Sequence, residues 1–393
     1  MTAVLIGKDN ANEEILYMAL ELSNKTWKLG FSDGAKQRQV SIEAGDWLAL
    51  HTQIERAKEK LKLAATCRIV SCYEAGRDGF WIHRRLLEDG IENHVVDSSS
   101  IEVNRRSRRA KTDSVDVKGL LRLLMRYWQG ERAVMSVVRV PTVEEEDNRR
   151  LHRERERLLK ERGSHSARIK SLLVAHGLRL EIRSDFLTQL ASASSGGGYA
   201  LGADLKAELR REYERYRLVH DQVKALEAEQ QLRVEEQEGQ AMAQIAHLLQ
   251  LKGVGPQSSW ILVMEFFSWR AFRNQRQLAS CAGLTPTPYA SGDSEREQGI
   301  SKAGNRQVRT LMIELSWLWL RYQPNSTLSQ WFERRFAHGG KRMRRIGIVA
   351  LARKLLIALW RYVEEGLGGS RKISYHASRP DQDIPLRQLW IPF

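Results

Sequence analysis

The chain is poor in cysteine. Its 393 residues include three, Cys67, Cys72 and Cys281, and no two of them form a CxxC pair. Disulfide-rich secreted domains and structural zinc modules need more cysteines at closer spacing. The sequence therefore predicts neither a disulfide framework nor a structural zinc site, and it favours a reducing, cytoplasmic environment.

Long apolar segments are also missing. The two longest apolar runs, Trp260 to Trp269 and Leu311 to Leu320, are short, and each contains a glutamate. A helix that crosses a bilayer needs about 20 predominantly apolar residues. The opening MTAVLIGKDNANEE has no basic region followed by an apolar region, as a signal peptide would. We expect an intracellular protein that does not act at a membrane.

Acidic residues are too few to balance the basic ones. Lys and Arg total 63 against 48 for Asp and Glu, which leaves a formal charge of +15. Such an excess favours a polyanionic partner, and eleven Trp with ten Tyr offer surfaces for base stacking. A protein that is merely basic remains the alternative.

The most informative stretch is RRSRRAKTDSVDVKGLLRLL, which starts at Arg105. Asp113 and Asp116 are three residues apart, so a helix places them on one face. Paired carboxylates suit a hard divalent cation such as Mg²⁺. The cations just before them can hold a phosphate backbone; they are Arg105, Arg106, Arg108, Arg109 and Lys111. A solvated helix start, where Asp is favoured by the macrodipole, is the other interpretation.

Up to about residue 140, strand patterns alternate with helix patterns. Ile15 to Leu22 and the following WKLGF predict a β-hairpin, and Arg68 to Tyr73 predicts a buried strand that ends at Glu74. Strands separated by helices indicate an α/β sheet, and such sheets bind ligands at the carboxyl ends of their strands. Glu21 and Glu74 lie near such ends.

From residue 141 to about 247 the chain is strongly charged and helical. Two long helices with narrow apolar stripes are separated by the glycine-rich SASSGGG, which predicts a flexible break. A helical hairpin within the chain, a coiled coil between subunits and a solvated spacer all fit this pattern. The histidines here lack metal-ligand spacing and are interpreted as surface or core residues.

From residue 248 onward, LLQLKGVGPQSSWILVMEF resembles a helix-hairpin-helix, with Gly253 and Gly255 in a turn that lets backbone N–H groups approach a phosphate. Pro286, Pro288 and Gly292 predict a loop that carries Ser291, and Asn305 is a candidate helix cap. Four cations that could stabilise charge on a phosphate follow this serine in the sequence. They are Arg296, Lys302, Arg306 and Arg309. Ser294 and Ser301 are neighbouring alternatives to it.

The basic run near residue 340 offers further candidate contacts to a nucleic-acid backbone. They are Arg342, Arg344 and Arg345. A solvated helix face is the other interpretation of this run.

Taken together, these motifs resemble a known family. An acid on the first hairpin strand, an acid closing a later strand and KTDSVD opening a helix resemble the RNase H-like, RuvC-type nuclease core. The stretch GLTP…YASG…GISKAGNRQVR resembles the carboxy-terminal domain of the DEDD transposases of the insertion-sequence "one-ten" family, in its "eleven-eleven" branch. The order of the two motifs along nearly the whole chain is also that of the family.

The resemblance implies three regions and a reaction. Residues 1–140 would be a RuvC-like domain, 141–247 a helical or coiled-coil region, and 248–393 a mainly α transposase domain. The four acids Glu21, Glu74, Asp113 and Asp116 would hold Mg²⁺, although the family usually has Asp where this chain has Glu21, which leaves the metal affinity open. Ser291 would be the nucleophile that makes this a serine recombinase.

The family also implies partners. The chain would act on donor and target DNA, guided by a structured, bridge-type non-coding RNA, as a homo-oligomer in the bacterial cytoplasm and at the nucleoid. Acids and serine would come from different subunits. Two other functions stay open: a metal-dependent, junction-resolving endonuclease without a covalent intermediate, and a non-catalytic nucleic-acid binder in which Glu21 marks a degraded site.

Overall fold

The chain folds into two compact units, Met1–Val140 and Pro141–Phe393. The structure is a computed structural model that describes residues 14–101, 113–291 and 294–366; for 99, 113–114, 288–291 and 294–298 it describes the backbone alone. Among these residues, no helix is both long and apolar enough to cross a membrane.

The first unit is a mixed five-stranded sheet with helices on both faces. The elements in chain order are β1 Ile15–Leu22, β2 Thr26–Ser32, β3 Gln37–Glu43, α1 Trp47–Leu61, β4 Arg68–Glu74, α2 Trp81–Glu88, β5 Glu92–Val96 and α3 Asp113–Trp128. The strand order is β3-β2-β1-β4-β5. β1, β2 and β3 pair antiparallel, whereas β1, β4 and β5 run parallel.

Burial on both faces explains why the central strand is almost entirely apolar. Side chains alternate between the faces of a strand. Leu16, Met18 and Leu20 of β1 pack with residues of α1 and α2, whereas Tyr17 and Ala19 pack on the other face with α3. The predicted α/β sheet is therefore present, and its first strand lies in the middle.

The second unit is mainly helical. Its elements are α4 Val143–Asp147, α5 Arg150–Ala175, α6 Phe186–Ser192, α7 Ala203–Glu236, α8 Gly239–Leu249, α9 Pro256–Leu262, α10 Gln275–Cys281, β6 Pro286–Ser291, β7 Ser294–Ile300, α11 Arg306–Tyr322, α12 Thr327–Phe332 and α13 Lys341–Gly366. Two π-helical turns, Val263–Phe267 and Glu333–Ala337, continue α9 and α12.

The two long charged helices, α5 and α7, pack against each other within the chain. Ion pairs and hydrogen bonds join α5 to α7. They include the ion pairs Arg155–Glu227 at 2.6 Å and Arg168–Glu208 at 2.7 Å and the hydrogen bond His165–Glu212 at 2.7 Å. Because residue numbers increase along α5 while those of their partners decrease along α7, the two helices are antiparallel.

The connection between α5 and α7 contains α6, which ends at the predicted break SASSGGG. Within that segment the chain turns, and the Ser195 N–H donates to the Tyr199 carbonyl at 2.7 Å. Glycine permits the backbone conformations that such a tight turn requires.

Candidate active site

Two of the predicted acids lie at the carboxyl ends of adjacent parallel strands. β1 and β4 are paired in register up to Leu20 and Tyr73. Glu21 and Glu74 are the next residue on each strand, and Glu74 is the last residue of β4. The register therefore places the two backbone positions side by side at one end of the sheet.

Both acids also share one face of the sheet. Tyr17 and Ala19 on β1, and Val70 and Cys72 on β4, pack toward α3. Because side chains alternate along a strand, Glu21 and Glu74 follow these residues on the α3 side. Lys28 of β2 is paired with Glu21, so a cation lies next to this acid on the same face.

The direction of α3 brings the other two acids to the same end. The guanidinium of Arg68, at the start of β4, lies 4.8 Å from the ring of Trp128, the last residue of α3. Val117 packs over Gly30, where an added Cβ would meet its Cγ2 at 3.2 Å. The helix therefore runs opposite to β1 and β4, and its first turn, with Asp113 and Asp116, begins near the strand ends that carry Glu21 and Glu74.

The described acidic side chains do not converge on one point, although their backbone positions lie at one end of the sheet. Glu74 is exposed, and Glu21 and Asp116 are half-buried, while the Asp113 side chain lies outside the description. Among the side chains that are described, no group of three or more His, Cys, Asp or Glu is arranged to hold a metal ion. The structure thus brings the acid positions to one end of the sheet without drawing three described carboxylates around one point.

The basic cluster predicted to precede these acids lies outside the described residues. It comprises Arg105, Arg106, Arg108, Arg109 and Lys111.

Cys72, two residues before Glu74 on β4, is a buried thiol. Its side chain is fully buried under α3, and its thiol lies 3.7 Å from the Leu120 carbonyl oxygen. Burial raises the pKa of this thiol to about 12, so the thiolate that nucleophilic or metal-binding chemistry requires does not form near neutral pH.

Ser291 lies at the tip of a β-hairpin. It is the last residue of β6 and is paired with Ser294, the first residue of β7. The sequence predicts a loop here, because Pro286 and Pro288 lack the N–H that a strand donates. That prediction is wrong: a two-stranded ribbon has free edges on both sides, where a proline costs no hydrogen bond.

The base of this hairpin is tightly fastened between α10 and α11. The Asn305 N–H donates to the Cys281 carbonyl at 2.7 Å, and the Ser301 N–H donates to the Thr285 carbonyl at 2.9 Å. Gly304 has φ +115, and a Cβ there would lie 2.3 Å from the Cys281 oxygen, so only glycine fits.

The four cations predicted around Ser291 separate into different environments. Arg309 donates from Nη1 to the carbonyls of Ala282 at 3.2 Å and Lys302 at 3.0 Å, so it holds the hairpin base together. Lys302 and Arg306 are exposed, whereas only the backbone of Arg296, on β7, is described. Ser301 lies at the base of the hairpin, away from the tip.

A buried charged cluster, which the sequence did not predict, supports the start of α11. The Glu265 carboxylate accepts from His152 Nε2 at 2.8 Å, from Arg153 Nε at 2.7 Å and Nη2 at 3.0 Å, and from Asn305 Nδ2 at 3.3 Å. We call these four residues the Glu265 cluster. The one signal in the sequence was a glutamate inside the apolar run WILVMEFFSW.

The electrostatics of the cluster keep Glu265 charged. Burial raises the pKa of this carboxyl, but hydrogen bonds from His152 and Arg153 and the charge of Arg153 more than offset it, leaving a pKa of about 2. Asn305 also caps α11, as predicted, because its Oδ1 accepts from the Val308 N–H at 3.0 Å. The cluster therefore connects α5 to the helix that begins directly below the hairpin.

The predicted glycine turn joins α8 to α9. Gly253 has φ +89, which favours glycine, and Gly255 precedes α9 with φ −96. The turn packs against the end of α11, since the Gln323 Nε2 donates to the Lys252 carbonyl at 3.2 Å. Farther along, Arg342, Arg344 and Arg345 lie exposed in the first turns of α13.

Comparison with known proteins matches this second unit to a family model. Residues 245–330, which include Glu265, Ser291 and Asn305, match the model described as Transposase IS116/IS110/IS902 family. The putative transposase y4rJ of Sinorhizobium fredii is 43% identical over 90% of this chain and 92% of its own length. The transposase for insertion sequence element IS1111A of Coxiella burnetii is 27% identical over 71% of this chain and 73% of its own length.

These relatives define the class of protein: a transposase, an enzyme that cuts DNA and transfers its strands. With a relative this similar across nearly its whole length, the chain belongs to the IS116/IS110/IS902 family of transposases.

Proposed function

We propose that this transposase mobilises an insertion sequence by Mg²⁺-dependent cleavage and rejoining of DNA, with Ser291 as the nucleophile. The observation that carries the proposal is the convergence of Glu21, Glu74 and the start of α3 at one end of the sheet. Acidic residues brought to the carboxyl ends of adjacent strands have few structural uses, because ionised carboxylates that approach one another repel unless a cation neutralises them.

The donor chemistry of this group suits magnesium. Glu21, Glu74, Asp113 and Asp116 offer only carboxylate oxygens, which a hard divalent ion prefers. When bound, Mg²⁺ supplies charge that stabilises the phosphorane and lowers the pKa of an attacking hydroxyl. The side chains of this chain would hold the ion and, through Lys28 beside Glu21, place a second positive charge near the phosphate.

The position of Ser291 in the chain supports its proposed role as the attacking hydroxyl. It lies at the tip of a hairpin whose base is fastened by backbone hydrogen bonds and by Arg309. In the proposed step the serine Oγ bonds to phosphorus, the phosphate–oxygen bond to the neighbouring nucleotide breaks, and the serine proton ends on the departing oxygen. The product is a phosphoserine-linked strand, and reversal of the step onto another strand rejoins the DNA through a four-way junction.

The partners follow from the family resemblance and are part of the proposal. The chain would bind donor and target DNA together with a structured, bridge-type RNA that selects them by base pairing. It would act as a homo-oligomer in the bacterial cytoplasm at nucleoid DNA. A charge of +15 supports a polyanionic partner of either kind.

A covalent adduct tests the nucleophile. The purified chain with its RNA is incubated with a nicked duplex that carries an end of its insertion sequence, and the products are separated under denaturing conditions. We expect a protein–DNA adduct that Ser291→Ala abolishes and Ser294→Ala preserves. Free 5′-phosphate ends without an adduct would instead identify a nuclease that activates water.

The acids are tested separately from the serine. We expect Glu74→Gln and Asp116→Asn to reduce cleavage by about a thousandfold or more, because loss of one metal ligand removes charge stabilisation, while DNA affinity stays within a few-fold. Glu88→Gln, an exposed change on α2, serves as the control. Full cleavage by both site variants would refute the metal site, and intact binding without any cleavage in wild type would identify a non-catalytic binder.

A further inference from the structure

The first six residues of α13 are all exposed to solvent. A helix that lies on a protein surface buries one face, so exposed residues recur in groups of two or three. Residues 341–346, KRMRRI, are all exposed, and burial begins only at Gly347 and Ile348. This segment, which we call the α13 projection, therefore presents every one of its side chains at least partly to solvent over more than one helical turn.

The projection is strongly basic. Six exposed cations lie on it and on the π-helical turn before it: Arg334, Arg335, Lys341, Arg342, Arg344 and Arg345. None of the six forms an ion pair with another described residue. Met343 and Ile346, which are 43% and 48% exposed, add two apolar side chains three residues apart on the same segment.

The angle of the projection is set by close packing at two glycines. A Cβ at Gly347 would lie 2.5 Å from Phe336 Cγ, and one at Gly339 would lie 2.4 Å from Met343 Cβ. The Arg344 N–H donates to the Gly340 carbonyl at 3.2 Å, so the helix begins directly after this turn. The π-helical turn after α12 packs against α13 so closely that no side chain fits at Gly339 or Gly347. This packing fixes the direction of the α13 projection.

We propose that the α13 projection enters the major groove of duplex DNA, with its cations on the phosphates and with Met343 and Ile346 against base edges. An α-helix fits the B-form major groove, which is about 12 Å wide, and thymine presents a methyl group there to apolar side chains. The major groove of A-form RNA is too narrow for a helix. The inference rests on the proposed function only in taking DNA as the substrate.

A charge-removal variant tests the partner. Binding of the full chain to a 30-base-pair duplex of random sequence is measured across a salt series for Arg342→Ala/Arg344→Ala/Arg345→Ala. The control, Arg210→Ala/Arg211→Ala/Lys224→Ala, removes the same charge from exposed positions on α7. We expect the α13 variant to bind at least about tenfold more weakly than wild type. The slope of log K against log salt concentration should become less negative by about 2–3, because each lost phosphate contact releases one counterion fewer.

The same measurement on an RNA duplex separates the two kinds of nucleic acid. We expect the α13 variant to bind RNA within about threefold of wild type. An equal loss on RNA and DNA, or an equal loss in the α7 control, would overturn the inference. Circular dichroism and thermal unfolding of each variant verify that it is folded.

A charge-neutral variant tests groove entry. Wild type and Met343→Ala/Ile346→Ala are each used to select duplexes from a random pool. We expect wild type to enrich thymine at defined positions and the variant to lose that enrichment while keeping its salt dependence. Identical enrichment by both proteins would show that the projection does not read bases. The binding and selection assays do not require DNA cleavage. Their results therefore do not depend on whether Ser291 and the four acids are catalytic.

Discussion

Glu265 is a buried carboxylate that the fold keeps ionised. Its side chain is 3% exposed, and its oxygens accept from Arg153, His152 and Asn305. Removing one partner from a buried ion pair leaves an uncompensated charge, which typically costs about 3–5 kcal/mol. The cluster reaches from α5 to Asn305, the cap of α11, so Glu265 supports the start of the helix that follows the serine hairpin.

The pH dependence of stability provides a test of Glu265. Its pKa is lowered from 4.5 to about 2, so its contribution is fully present above pH 4.5 and is lost as the pH falls toward 2. Linkage puts that contribution at about 3 kcal/mol. We expect Glu265→Gln to be less stable than wild type at pH 7 and to lose less stability on acidification.

Denaturant unfolding between pH 7 and 2.5 measures this difference. Glu161→Gln, on the same helix as His152 and Arg153 but without a buried partner among the described residues, is the control. Parallel pH curves for wild type and Glu265→Gln would contradict the assignment.

At the scale of residues, the sequence predicts those features that neighbouring residues encode. Asn305 caps α11 because a helix start and its cap are neighbours in the chain. The sequence also predicts that His152 is a surface or core residue, and it lies in the core at 2% exposure, but the sequence does not reveal its partner. Its partner Glu265 is 113 residues away, and no local pattern encodes such a pairing.

At the scale of elements, the hairpin that carries Ser291 depends on two glycines at its base. Gly304 and Gly283 both have positive φ, and an added Cβ at either would lie within 2.5 Å of a neighbouring backbone oxygen. Gly299 in β7 has a similar φ of +86 but faces open space. Substituting Gly299 therefore tests the free-energy cost of the backbone conformation alone, whereas substituting Gly304 adds the cost of the close contact.

We expect Gly304→Ala to destabilise the protein by several kcal/mol and to reduce adduct formation at Ser291 at least tenfold. The reason is a methyl group 2.3 Å from the Cys281 oxygen, which must displace the hairpin base. Gly299→Ala should cost only about 1–2 kcal/mol, the usual penalty for a left-handed conformation. Thermal unfolding and the adduct assay measure both effects, and equal behaviour of the two variants would refute the role of the contact.

The sequence does not determine which helix packs against α5, and the structure shows that α7 does. A narrow apolar stripe with charged flanks fits a helical hairpin and a coiled coil between subunits equally well. Within the chain, Leu158 of α5 packs against Val219 and Val223 of α7. The connection between them, residues 176–202, contains α6 and returns the chain so that α7 runs antiparallel to α5.

At the scale of the whole molecule, net charge governs association with nucleic acid. A charge of +15 on 393 residues makes non-specific binding strong and sensitive to salt. Specificity must then come from a smaller set of contacts or from a guide that pairs with DNA. In the proposed function, that guide is RNA.

Co-purification tests the guide. We expect the chain, expressed with the non-coding flanks of its insertion sequence, to retain one structured RNA through a wash at about 0.5 M salt, where non-specific contacts are screened. Removing that RNA with ribonuclease should abolish the adduct on the matching duplex and leave binding to random duplex intact. Site-specific adduct formation after complete RNA removal would rule out guidance by RNA.

The sequence by itself determined the alternation of strands and helices, the order of the two motif-bearing regions, the helix cap at Asn305 and the presence of Glu21 and Glu74 at strand ends. Each of these depends on side-chain periodicity or on residues that are neighbours in the chain. Only the tertiary structure decided that β1 lies beside β4, that α3 runs back toward their carboxyl ends, that Pro286 and Pro288 occupy a strand, and that Glu265 meets His152. These features depend on packing and on charge pairing between residues far apart in the chain. No local pattern encodes such contacts, because they form only when the complete fold brings the two partners together.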